Sequence, residues 1–337
     1  MDLPLFVKVE NVPEQELLSS ESFSRSTVWF NSQGVRCHAW LYVPAIKSDK
    51  SADEHSTAAK PPPVVIMAHG IGAQKDMGLQ KYSEAFAKRG IASFVFDYRT
   101  FGGSDGMPRH LVDPWRHVED YRAALDYVRG SHLSDLIDPS RVALWGTSFA
   151  GGHVVNVAAT DLVPDHVGSV RAVVSQTPHL DGRAASKRSL IERGRMGSLK
   201  MAAATIGDAL RGLLGMQARY VSIAGCKGDG KVALMSLAGS DCASYFEKHP
   251  TEYLGGWRNQ VCARVGAMVG LYSPLKALPQ VKAPILFVAA EKDALCPADS
   301  VRAAVAIAPN AKLSIHDVTH FEIYLGDTLQ VTSVCFV

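Results

Sequence analysis

RVALWGTSFAGGHV, residues 141–154, passes from a short apolar run through a turn of small residues into a segment suited to a helix. Ser148 stands at the turn, with Gly146 two positions before it, Ala150 two after it and Gly152 beyond. A serine in a sharp strand-to-helix turn holds a strained backbone, so bulky neighbours two positions away would collide. The turn lifts the hydroxyl above the sheet and sets it at a helix N-terminus, where the dipole favours developing negative charge. The competing interpretation is a glycine-rich junction without chemistry. The strand and helix patterns on either side weigh against it.

Outward from this turn, short apolar runs alternate with helical patterns. PVVIMAHG and IASFVFDY read as strands, and RAVVSQT, PILFVAAE and AKLSIHDV repeat the pattern. Residues 78–89, a segment opened by Asp113-Pro114, residues 149–160 and residues 298–307 read as the helices between them. The helix after Pro114 has the stripe Trp115, Val118, Tyr121, Leu125 and Val128. Continuous apolar strands separated by helices predict an α/β fold, with a mostly parallel, doubly wound sheet covered on both faces. Residues 24–31 and 35–44 predict an antiparallel hairpin at a sheet edge, turned at NSQG. Residues 47–63 predict a solvated, proline-stiffened loop. The rhythm breaks over 181–275, which predicts an inserted helical cap with its own apolar and aromatic residues. The expected division is a core of 1–180 and 276–337 and a cap of 181–275.

A serine hydroxyl needs a base, and the base needs an orienting acid. On such sheets the chain order is serine, acid, histidine. Asp293 follows the strand PILFVAAE and His320 follows the last strand, so both face the edge that carries Ser148. Glu291 and Asp181 are rival acids and His316 a rival base, although the pattern puts His316 inside a strand. The glycine turn His69-Gly70-Ile71-Gly72 is placed to aim backbone donors, and the amides of Ile71 and Phe149 are the expected oxyanion pair.

Other signals narrow the class. With 35 Lys+Arg against 33 Asp+Glu, the net charge of +2 gives no broad surface for nucleic acid. No run approaches the roughly 18 apolar residues of a membrane span. The N-terminal stretch does not read as a secretory signal. The six cysteines lie far apart without a C-x-x-C pair, which reads as scattered thiols in a reducing, intracellular setting, most simply the cytoplasm. His110, His117 and His132 read as loop or helix-surface residues without ligand spacing, so neither metal nor cofactor is expected. RTFGGSDG lacks the lysine of a phosphate loop and reads as a turn.

HGIGAQKDM, FVFDYRTFGGSDG, DPWRHVEDYRAALDYVR, the serine turn, and AAEKDALCP with THFEIY together resemble the α/β-hydrolase superfamily. Within it they are similar to the branch of dienelactone-hydrolase-like and fungal polyketide transferase-like proteins. The resemblance covers about residues 25–325. It implies an α/β-hydrolase fold with Ser148, Asp293 and His320 as a catalytic triad. It implies hydrolysis of an ester or thioester of a hydrophobic acyl or polyketide chain, free or carrier-bound, in secondary metabolism. Two alternatives stand beside it: acyl transfer to an alcohol, and a non-catalytic binding protein. The sequence departs from the branch at Ala150, where glycine is frequent, and in ending with strand-like LQVTSVCFV where relatives continue into a helix.

Overall fold

The computed structural model describes residues 17–45, 60–161, 169–242, 245 and 257–325. The expectations for LQVTSVCFV, for the thiol of Cys335 and for part of the inserted cap, including the aromatics Phe246 and Tyr253, therefore lie outside the described residues, as does most of the proline-stiffened loop.

The chain opens with β1 (Leu17–Ser19), β2 (Phe23–Ser32) and β3 (Val35–Pro44). The β2–β3 turn has positive φ at both Gln33 and Gly34, the geometry that matches the right-handed twist of a hairpin. Asn31 Oδ1 accepts from the Gly34 amide at 2.9 Å and closes the turn. β4 (Val64–Ala68), α1 (Leu79–Ala87) and β5 (Ala92–Phe96) follow. α2 (Pro114–Val128) is capped by Asp113, whose side chain accepts from the amides of Trp115 and Arg116. β6 (Val142–Thr147), α3 (Phe149–Ala159) and β7 (Val170–Gln176) complete the first half.

The nine-stranded sheet runs β1-β2-β3-β5-β4-β6-β7 and then takes up two strands from the second half of the chain, which close its far edge. β1, β2 and β3 pair antiparallel, β3 joins β5 antiparallel, and the strands from β5 onward are parallel. Every residue of β4, β5 and β6 is buried, as both covered faces require. The expected stripe of α2 packs inward at Val118, Tyr121, Leu125 and Val128, while Trp115 at its first turn stays half exposed and meets Tyr272 edge-on.

Between the two halves lie α4 (Gly182–Leu213), β8 (Tyr220–Cys226), β9 (Ala233–Leu237), β10 (Val261–Cys262) and α5 (Val265–Leu271). α4 is broken at Gly194, whose φ of 67° and ψ of 177° suit glycine almost alone. The stretch expected as helical thus also holds a small sheet, β10-β8-β9, which its glycine-rich turns disguised. β11 (Ile285–Ala290), α6 (Ala298–Ile307) and β12 (Ala311–His316) then finish the main sheet in the order β7-β11-β12.

Two expectations are corrected. Cys226 and Cys242 form a disulfide with Cα atoms 5.6 Å apart, so these two thiols are not free, and the cysteine argument for a reducing compartment is lost. A 16-residue separation carries no pairing signal. His110 and His117 are buried rather than on the surface. His117 shares the inward face of α2 with Tyr121 and stacks on Tyr98 at 4.0 Å. No helix among the described residues is long and apolar enough to cross a membrane.

Candidate active site

Ser148 lies between β6 and α3 with φ 55° and ψ −116°, a backbone that costs of order 1–3 kcal/mol and must be held by its surroundings. Those surroundings leave no room for alternatives. A Cβ on Gly146 would lie 2.2 Å from the Ala150 carbonyl oxygen, and one on Gly152 2.4 Å from the His179 oxygen. The Ser148 amide donates to Gln176 O at 2.8 Å, and the Ser148 carbonyl accepts from Gly151 and His179.

The structure brings Ser148, Asp293 and His320 together across 172 positions of sequence. Ser148 Oγ and His320 Nε2 are 3.2 Å apart, and His320 Nδ1 is 2.6 Å from Asp293 Oδ2. A carboxylate at Nδ1 fixes the proton there, so Nε2 is the acceptor for the serine hydroxyl. Asp293 Oδ1 accepts from the amides of Leu295 and Cys296 at 2.8 and 2.7 Å, which locks the carboxylate plane. Asp293 and His320 are buried.

The rivals lie elsewhere. Glu291 is exposed and pairs with Arg302 at 2.6 Å. His316 bonds Ser314 Oγ on β12, and Asp181 caps the start of α4.

The loop after β4 reaches over the serine. A Cβ on Gly70 would come within 2.9 Å of Ser148 Cβ, so only glycine lets the loop approach this closely. The Gly70 amide donates to His69 Nδ1 at 2.8 Å, and His69 Nε2 lies 3.0 Å from Met77 O. That pattern selects the neutral imidazole with its proton on Nε2, and burial pushes the His69 pKa down to about 4. Further along, Lys75 Nζ meets Asp97 Oδ2 at 2.5 Å with both side chains buried, and the Gly103 amide joins the same oxygen. A Cβ on Gly102 would strike that carboxylate and one on Gly103 the His38 ring, which explains the paired glycines of RTFGGSDG. Ile71 and Phe149 line the cavity beside Ser148. Phe149 opens α3, so its amide has no helical carbonyl to bond.

The cavity over Ser148 holds about 390 Å³ and is walled by α4, β9 and α5. Its apolar surface includes Leu190, Met201, Ile206, Leu234 and Met235. Arg193 adds a cation at the wall, and burial lowers its pKa.

Sequence reasoning missed several residues here. Trp257 Nε1 donates to Gly72 O at 2.9 Å and Ile223 packs where a Gly72 Cβ would sit, so the insertion braces the donor loop. Cys296 lines the cavity, and burial with the nearby Asp293 charge raises its thiol pKa well above the ordinary value. Asp293, Cys296 and His320 bring donor atoms within 4.8 Å of one another. The Asp293 oxygens and His320 Nδ1 are already engaged, so the group reads as part of the serine site.

The family model described as serine aminopeptidase, S33 (Hydrolase_4) matches residues 59–322. The chain belongs to this family of α/β hydrolases. It is 33% identical to the quorum-quenching protein AidA of Acinetobacter baumannii over 322 residues, 96% of this chain and 93% of that protein. It is 36% identical to the thiohydrolase aneE of Aspergillus aculeatus over 119 residues, 35% of each chain. The crystal structure of the α/β hydrolase GrgF from Penicillium superposes with a TM-score of 0.68 at 21% identity, covering 91% of this hydrolase and 94% of GrgF. That likeness concerns the fold.

Proposed function

We propose that this hydrolase cleaves an ester or thioester of a hydrophobic acyl chain with Ser148 as nucleophile, His320 as base and Asp293 as its orienting acid. The observation that carries the reading is the unbroken series of hydrogen bonds from Ser148 Oγ to His320 to Asp293.

Ser148 Oγ attacks the acyl carbon while its proton passes to His320 Nε2, giving a tetrahedral oxyanion that accepts from the amides of Ile71 and Phe149. The carbon–oxygen or carbon–sulfur bond then breaks, and His320 returns the proton to the departing alcohol or thiol. Water attacks the acyl-enzyme, His320 takes its proton, and Ser148 is released with the free acid. The buried Asp293 stabilises the imidazolium in both halves. The segment 181–275 acts as the cap that selects the acyl chain, and its apolar wall supports a chain of medium length.

The thiohydrolase relative supports thioesters among the substrates. The quorum-quenching relative adds quorum-sensing signal molecules to the substrates worth testing.

Purified protein should turn over acyl esters and thioesters of graded length, with a preference above acetyl. Ser148→Ala should lose at least a thousandfold in kcat while keeping its melting temperature. Ester formation in the presence of an alcohol, without free acid, would instead indicate transfer. Turnover by the alanine variant equal to that of the wild type would end the reading, and no turnover by either protein would leave a binding role.

A further inference from the structure

A second cavity of about 500 Å³ lies between the loop around Thr100–Pro108 and the chain that follows α4, and it shares no lining residue with the cavity over Ser148. Its size is ordinary for a small-molecule site. Among the described residues three arginines line it, Arg99, Arg116 and Arg264, and no aspartate or glutamate does. Two of these charges are balanced from behind the wall. Arg99 bonds Asp120 at 2.6 Å and Glu119 at 2.8 Å, and Arg264 bonds Asp208 at 2.8 Å. The Arg116 guanidinium has no hydrogen bond or ion pair among the described residues, so one positive charge at the wall is uncompensated.

Apart from Thr100 and Gln217, the rest of the described lining carries no polar side-chain group but the Tyr220 hydroxyl, and part of it is bared to water. Met107 is 47% exposed, Met216 48% and Tyr220 37%, all on this cavity. A guanidinium with free donors binds a carboxylate or phosphate through two parallel bonds. The methionines offer adaptable surface to an alkyl chain, and covering them recovers about 25 cal/mol per Å² of apolar area.

We propose that this cavity binds an amphipathic anion, an alkyl chain ending in a carboxylate or phosphate, with Arg116 holding the head group. The site is independent of the chemistry at Ser148. The test uses the full chain carrying Ser148→Ala, titrated calorimetrically with decanoate, decyl phosphate and decanol. One or both anions should bind about tenfold or more tighter than decanol, and which of the two binds tighter distinguishes a carboxylate source from a phosphate source. Adding Arg116→Ala should weaken anion binding about tenfold, and adding Ala218→Trp, which fills the cavity, should abolish it. Ile206→Trp, in the other cavity, should leave it unchanged. Thermal melts confirm that each variant is folded. Decanol binding as tightly as the anions would overturn the proposal. So would anion affinity indifferent to both Arg116→Ala and Ala218→Trp, or lost on Ile206→Trp alone.

Discussion

The floor and the roof of the Ser148 cavity are built by opposite rules. On the floor, glycines are demanded by contact: a Cβ at Gly70, Gly146 or Gly152 would meet neighbouring atoms at 2.9 Å or less. Polar groups are locked in series there, from Asp97 and Lys75 under the donor loop to Asp293 and His320 beside the serine. In the inserted segment that supplies the roof, Gly194 and Gly215 have open space around them, with Gly215 on the second cavity. Its long helix leaves Ile191, Met196, Leu199, Ile206 and Leu213 more than half exposed. The floor holds the reacting groups in close fixed contacts, and the inserted segment keeps apolar side chains exposed, Ile206 among those lining the cavity. The proposed chemistry needs the first, and under that proposal choice of acyl chain would be served by the second.

Substitutions in the floor should therefore act on rate or on folding, and substitutions in the roof on selectivity. The largest effect is expected from Asp293→Asn, which keeps the shape but removes the charge that holds the His320 tautomer. Its kcat for a good ester should fall about 10⁴-fold with the melting temperature little changed. Gly146→Ala should come next, because the colliding atom is backbone; a loss of at least about 3 kcal/mol is expected in urea unfolding. The matching roof change, Gly215→Ala at φ 64° with nothing nearby, should cost about 1 kcal/mol. Equal costs would erase the contrast. Gly70→Ala should lower kcat about 10- to 100-fold at nearly unchanged stability, since its Cβ presses on the serine itself.

Acid should attack the floor. Burial holds the folded pKa of His38 and His117 at about 3 and that of His69, His110 and His179 at about 4. Unfolded, these side chains titrate near 6.5. The unfolded chain thus takes up protons first as pH falls, and stability present above pH 6.5 is lost on the way to pH 4. Each histidine contributes a slope of about 1.4 kcal/mol per pH unit. Asp120, raised by burial to about 6, and Glu192, also raised by burial, oppose this trend, while the buried His153, lowered by burial, reinforces it. All five histidines precede α4, so acid melts followed by tryptophan fluorescence should report loss of the main sheet between pH 6 and 4. A flat melting temperature over that range would contradict the burial.

Much of the floor was legible in the sequence because its constraints are local. The serine turn, the apolar runs and the Asp113 cap each declare themselves within a dozen residues. The residue types at the ends of the last two strands then singled out Asp293 and His320, which lie within hydrogen-bonding reach in series with Ser148. The roof was legible only as an interruption. β8, β9 and β10 pair across turns that dilute their pattern, and the Cys226–Cys242 disulfide follows no spacing rule. The brace from Trp257 to Gly72 spans 185 positions and depends on where the insertion docks. His117 was misread because a histidine on an apolar face looks polar until stacking on Tyr98 accounts for it.

On the proposed mechanism, His320 activates Ser148 for attack. Intact-mass and peptide mass spectrometry after brief exposure to a fluorophosphonate tests it most directly. A single adduct on the peptide containing Ser148 is predicted, forming at least a thousandfold more slowly in His320→Ala. No adduct on the wild-type chain, an adduct on another residue, or equal labelling rates in the two proteins would contradict it.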